Sequence, residues 1–320
     1  MSIGSQETCL RPEHRKQPPW TEAVVRHRRW ITLLLVTAVA CLAAGCERVS
    51  DRAAGNAHQL VTSGFGAETL RDEAAADGGS VLDALRATST VETAYGGGFV
   101  NAIDGLASDR SGQRDWFFYV NGVSPGRGAD QQRMRAGDSV WWDYHPWGGL
   151  IDAWTVVGLW PEPFVHGYPK RPGTVTADPP LDDVLRAAGV TVGPGPSPWR
   201  VRVGVDAALR ATDPAWRRAM ADPVGAGLTV RIDGNRIRAV GADGTTLTDV
   251  PEARAIAAAV LTGATPESGG ALLAVAGLDA TAARLAADRI AREPSVLRGR
   301  FAVVFDESGN PIAAGGQGRL

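Results

Sequence analysis

Seven prolines, Pro169, Pro172, Pro179, Pro180, Pro194, Pro196 and Pro198, crowd one stretch of this chain. Each fixes φ and removes a backbone donor, so neither a long helix nor a central strand can run through the segment. Only residues 181–188 have room for a helix between the breaks. The stretch therefore divides the chain, with few contacts expected to cross it. Six of the ten tryptophans (Trp116, Trp141, Trp142, Trp147, Trp154 and Trp160) lie between residues 116 and 160, just before it, which makes that part aromatic-rich. Apolar residues at 44% and charged residues at 21% suffice for packed cores on both sides.

The first 46 residues read as a leader. The basic cluster Arg26, His27, Arg28 and Arg29 precedes an apolar run of 12 residues, 31–42, and small residues follow. That is the pattern of an export signal, and the run is far below the ~20 residues of a membrane span. Leu42-Ala43-Ala44-Gly45-Cys46 resembles the lipobox of bacterial lipoproteins, in which the cysteine is acylated and becomes the new N-terminus. Ala43 departs from the usual branched aliphatic residue, and cleavage near Ala44 beside an incidental cysteine is the alternative. Residues before Arg26 lie outside the signal pattern, and Val24 or Val25 are candidate starts. Cys9 and Cys41 fall in the leader, so no disulfide is expected beyond Cys46. The expected location is the outer face of the cell membrane, with the membrane as a partner through lipidated Cys46. Residues 47–63, polar and small, read as a tether.

Beyond Cys46, 27 Lys and Arg face 32 Asp and Glu, a net charge of −5. That balance argues against a nucleic-acid partner, which calls for a basic surface. Lys16 and Lys170 are the only lysines, and the abundance of Ala, Gly and Arg points to a high-GC, actinobacterial genome.

Residues 64–147 read as a small β-rich domain. Ser80 and Asp83 form a capping box at a helix start. Gly96-Gly97-Gly98 precedes a strand over 99–103 with a turn at Asp104-Gly105. Aromatic strands follow over 115–120, ended by Asn121-Gly122, and over 139–144, after Gly137-Asp138. Alternation places Trp116, Phe118 and Val120 on one face and Phe117 and Tyr119 on the other. In the last strand Val140, Trp142 and Tyr144 oppose Trp141, Asp143 and His145. A domain of this size cannot bury both faces within itself. The second face must meet the rest of the chain, a ligand or a partner.

In its order of elements this segment resembles the small domain related to the C-terminal domain of transcobalamin and intrinsic factor, found alone in many bacterial lipoproteins. The resemblance implies a β-grasp-like sheet with a small helix. It carries over at Tyr119, Asn121, Gly122, Gly137, Asp138, Trp142 and Tyr144. In the transcobalamins this domain closes over a corrin ring, so a corrinoid is the ligand the resemblance implies. No stretch of this sequence reads as the helical barrel that supplies the other half of that site, and what carries over is a ligand- or partner-binding β-domain.

Residues 148–198 form an aromatic strap and the proline-rich linker. A strand is expected over 154–158, then a proline-stiffened loop bearing Trp160, Phe164, His166 and Tyr168. The strap either lines a cleft or ties the halves together. Residues 199–320 read as an α/β domain with strands over 201–205, 271–277 and 301–305. A hairpin turns at Asp233-Gly234-Asn235, and helices start at Asp213-Pro214, over 251–261, and at Asp279. The last strand–helix–strand unit reads as a parallel crossover.

No nucleophile elbow or phosphate loop occurs in the second half. Asp143 and His145 on one strand face, with Glu162, are a candidate acid/base group, and solvent-facing polar residues at a strand end are the simpler reading. The sequence thus predicts an α+β chain: an aromatic β-grasp-like sheet followed by an α/β domain. It further predicts a lipid-anchored binding protein for a small molecule or envelope partner, serving a transporter; the alternative is an envelope hydrolase using the interdomain cleft. The expected binding residues are Tyr119, Asn121, Trp142, Tyr144, Trp147, Trp160, Phe164, His166 and Tyr168.

Overall fold

Alternating apolar side chains build the first sheet. The computed structural model describes residues 57–149 and 153–312, so the expected leader and the lipobox-like stretch with Cys46 lie outside the described residues. In chain order come β1 (Ala57–Ser63), β2 (Glu68–Ala75), α1 (Val81–Arg86), β3 (Val91–Ala94), β4 (Phe99–Ile103), β5 (Leu106–Ala107), β6 (Arg114–Val120) and β7 (Ser139–Pro146). The main sheet has the order β2–β1–β7–β6, and β3–β4–β5 form a second, smaller sheet. β1 and β7 run parallel at the centre, with β2 and β6 antiparallel on the flanks. First and last strands side by side is the β-grasp-like arrangement expected.

Residues 57–63, read from sequence as the end of a tether, instead form β1. Ala57, Gln59, Leu60, Val61 and Thr62 are all buried there. The stretch is short and half polar, so only pairing on both edges marks it as a central strand. β2 also escapes sequence reading: its Glu68, Arg71, Asp72 and Glu73 suit an edge strand, where charge deters further pairing. α1 starts as expected, with Asp83 N donating to Ser80 Oγ (3.0 Å) and Ser80 N to Asp83 Oδ2 (2.8 Å). The helix buries Val81, Leu82 and Leu85 in one cluster with Trp116, Val120, Val140, Trp142 and Tyr144.

The second half is organised on a six-stranded sheet. β8 (Thr176–Ala177), α2 (Leu181–Ala187), β9 (Arg200–Val205), α3 (Asp206–Thr212) and α4 (Pro214–Ala221) come first. The hairpin β10 (Val230–Asp233) and β11 (Arg236–Val240) follows, with β12 (Leu247–Asp249) as a third strand. Then come β13 (Ala255–Leu261), β14 (Ala271–Gly277), α5 (Ala280–Arg292), β15 (Ala302–Phe305) and β16 (Pro311–Ile312). The sheet order is β16–β15–β13–β14–β9–β8. β13 pairs antiparallel with both β14 and β15, so α5 carries the chain across β13 in a parallel crossover.

Two sequence expectations fail here. Residues 251–261, expected as a helix, contain β13. Alanine favours helix locally, but Ile256, Ala258 and Val260 are buried on one face and Ala255, Ala257 and Ala259 on the other. A continuous apolar run covered on both faces is what a central strand requires. Residues 154–158, expected as a strand, make only a single bridge, Val123 to Thr155, before the chain turns. α3, α4 and the β10–β12 sheet cover one face of the six-stranded sheet, and α2 and α5 the other. Among the described residues no helix is long and apolar enough to cross a membrane.

Candidate functional site

The aromatic strands of the first half use both faces for packing. Trp116, Phe118, Val120, Trp142 and Tyr144 pack over α1. On the opposite face Tyr119, Trp141 and Phe117 meet Leu60, Phe65 and Phe301 in a second cluster. Phe301 comes from the second half and stands edge-on to Phe65, Tyr119, Trp141 and His145. The backbones also touch: a Cβ on Gly66 would lie 1.7 Å from Gly299 O, and one on Gly158 2.5 Å from Arg300 N. Glycine is required at both places, and the second aromatic face is a seam within the chain.

Most of the expected binding residues are therefore core. Tyr119, Asn121, Trp142, Tyr144, Phe164 and Tyr168 are buried, while Trp147, Trp160 and His166 are partly exposed. Asn121 ties three segments together. Its Nδ2 donates to Asp138 Oδ1 (2.8 Å) and Gly167 O (3.0 Å), and its Oδ1 accepts from Ser139 N (2.8 Å). Tyr144 donates to Ala107 O at 3.0 Å. Burial, reinforced by the Asp143 charge, pushes the Tyr119 hydroxyl well above its ordinary range.

The expected Asp143–His145–Glu162 group is split between two places. Asp143 and His145 are fully buried, with Nδ1 of His145 2.8 Å from Asp143 Oδ1. The same carboxylate accepts from Phe65 N (3.0 Å), Gly66 N (2.9 Å) and the Thr62 hydroxyl. The His145 ring is stacked between Phe65 and Phe117, with centroids 4.4 and 4.2 Å away. Its Nε2 has no partner among the described residues. Glu162 instead holds His166, accepting from its backbone N (2.9 Å) and contacting its Nδ1. Among the described residues no group of three or more His, Cys, Asp or Glu is placed to hold a metal ion.

A candidate cavity lies elsewhere. A cleft of 340 Å³ has walls from the strap, from α4 and from the end of β13, and its lining includes Trp154, Arg218, Ala219, Asp222, Leu261 and Gly263. Trp154 is fixed from the first half, where Ser124 N donates to Trp154 O (2.9 Å) and Val156 N to Gly122 O (2.9 Å). α4 is fixed by its cap. Asp213 accepts from Ala215 N (2.9 Å) and Trp216 N (3.4 Å), and Arg200 clamps its carboxylate at 2.7 and 3.0 Å. Burial alone would raise the Asp213 carboxyl; Arg200 and the two N–H groups outweigh it and hold the group below the ordinary carboxylate range. Trp216 Nε1 donates to Asp206 Oδ1 (2.9 Å) and locks α4 onto α3. Arg218 Nη2 donates to Thr262 O (3.0 Å), and Asp222 accepts from Gly225 N (3.0 Å).

Sequence reasoning missed Arg218 and Asp222, and it placed Trp154 on the strap without assigning it to a site. Arg218 lies in an ordinary amphipathic helix and Asp222 just past its end, and nothing local marks them. Trp160, Phe164, His166 and Tyr168 do not line this cleft.

Residues 78–146 match the model of a domain of unknown function, DUF4430. The match falls within the segment whose order of elements resembles the transcobalamin-type β-domain. No curated protein matches the chain. Among solved structures, the crystal structure of a Ruminococcus gnavus protein described as a "putative metal binding protein" is similar at 22% identity and a TM-score of 0.23. The match covers 27% of this chain and 94% of that one.

Proposed function

We propose that this chain is an extracytoplasmic, lipid-anchored binding protein that captures a small molecule in the Trp154–Arg218–Asp222 cleft and serves a transporter. The cleft carries the reading. It is concave, its lining combines apolar side chains with one aromatic and two charged groups, and it is mounted on capped and clamped elements. Its volume falls at the low end of small-molecule sites. A corrinoid does not fit the residues present: Tyr119, Asn121, Trp142 and Tyr144, where the family resemblance carries over, are spent on the chain's own core. The buried Asp143–His145 pair does not line the cleft, so nothing in the cleft lining favours hydrolysis over binding.

The test has two arms. Ligand-detected NMR with a small-metabolite library should give hits on the wild type that disappear in Ala264→Trp, which fills the cleft from an exposed position. Hits that persist in the variant place binding elsewhere. Cys46→Ser should release the protein from the membrane fraction, and a variant retained there at the processed wild-type size refutes the anchor.

A further inference from the structure

We infer that the cleft ligand is a zwitterion with an apolar side chain, a free amino acid or a dipeptide, with its carboxylate on Arg218 and its ammonium on Asp222. The inference rests on the cleft being the binding site and adds the class of molecule bound. Its starting point is an ion pair that does not form.

Helical neighbours four apart close readily into ion pairs, and in this chain they do so elsewhere: Arg186–Asp182 (2.5 Å), Arg210–Asp206 (2.7 Å), Arg284–Asp288 (2.9 Å) and Arg289–Glu293 (2.8 Å). Arg218, in the last turn of α4, and Asp222, the residue that caps its end, have the same spacing yet make no ion pair with each other or with any described residue. Arg218 is drawn across to the carbonyl of Thr262 at the end of β13, which uses one of its five donors. Asp222 turns to Gly225 N, which leaves Oδ2 without a hydrogen bond among the described residues. Two opposite charges are thus held apart on the rim of one cleft.

That arrangement matches a ligand carrying both charges. A guanidinium binds a carboxylate through paired, charge-assisted hydrogen bonds, and a carboxylate accepts from an ammonium in the same way. The rest of the lining is apolar, with Ala219, Val260 and Leu261 among it and Trp154 contributed by the strap. Such a lining takes an aliphatic or aromatic side chain and offers a third charge no partner. A singly charged ligand would leave either Arg218 or Asp222 unused, and an uncharged one would leave both.

Isothermal titration of the purified full-length chain with leucine, leucyl-alanine, N-acetyl-leucine and leucinamide tests this. Leucine or leucyl-alanine should bind, and whichever is tighter identifies the source. The two blocked derivatives of leucine should bind at least tenfold more weakly than leucine. Arg218→Met should weaken zwitterion binding about tenfold or more while leaving leucinamide unchanged, and Asp222→Asn should do the reverse with N-acetyl-leucine as control. Both side chains are exposed, so unchanged melting temperatures are expected. If neither zwitterion binds while library hits still depend on Ala264, the ligand class is wrong and the cleft stands. A zwitterion bound at full affinity by Ala264→Trp overturns both.

Discussion

A single buried carboxylate shows how local chemistry supports the cleft. Asp213 caps α4 and receives Arg200, and its carboxyl is held below the ordinary range despite burial. A group with a depressed folded value adds stability that is complete above the unfolded value, about 3.9, and is lost as pH falls through the folded one. Urea midpoints should therefore decline below about pH 4. Asp213→Asn should be less stable at pH 7, and its midpoint should change less between about pH 4 and 2. Parallel acid profiles for the two proteins would contradict this role. Asp213 and Pro214 were readable as cap and first helical residue. Arg200 was not, because it arrives from β9, 13 positions away in sequence.

At the scale of elements, local signals succeeded where the chemistry was local. The Ser80–Asp83 box closes within four residues, so sequence order alone locates α1. Ser80→Ala should cost about 1 kcal/mol, read as a lower urea midpoint with an unchanged slope. A loss below about 0.3 kcal/mol would mean that packing of Leu82 and Leu85 alone sets the helix start. β13 is the opposite case. Its Ala-rich run is compatible with helix, and only β14 and β15 on its edges make it a strand. β1 was lost for the same reason: its short, half-polar stretch needs β2 and β7 to become a strand.

Across the whole molecule, the proline-rich stretch does not isolate the halves as its composition implies. Phe301 inserts among Phe65, Tyr119, Trp141 and His145, whereas Arg298 reaches Asp72 at the exposed margin of the same seam. Phe301→Ala should cost about 3–5 kcal/mol, because a buried ring leaves a cavity. Arg298→Ala should cost less than about 1 kcal/mol, since an exposed ion pair is screened by solvent. Thermal unfolding of the two variants compares them directly, and equal losses would mean that the seam is held by charge and not by packing.

The sequence by itself determined the mixed α+β class, the aromatic strands with their two-faced alternation, the helix caps and the hairpin at Gly234. Each depends on residues close in the chain, where period and turn chemistry act. Only the tertiary structure decided which aromatic face becomes a seam, that β1 and β13 are central strands, and that Trp154, Arg218 and Asp222 share a cleft. Those outcomes depend on segments distant in sequence: β1 pairs with β7, β13 with β15, and Trp154 and Arg218 line one cleft although 64 positions apart. Such meetings are fixed by packing, which leaves no periodic mark on the segments it joins.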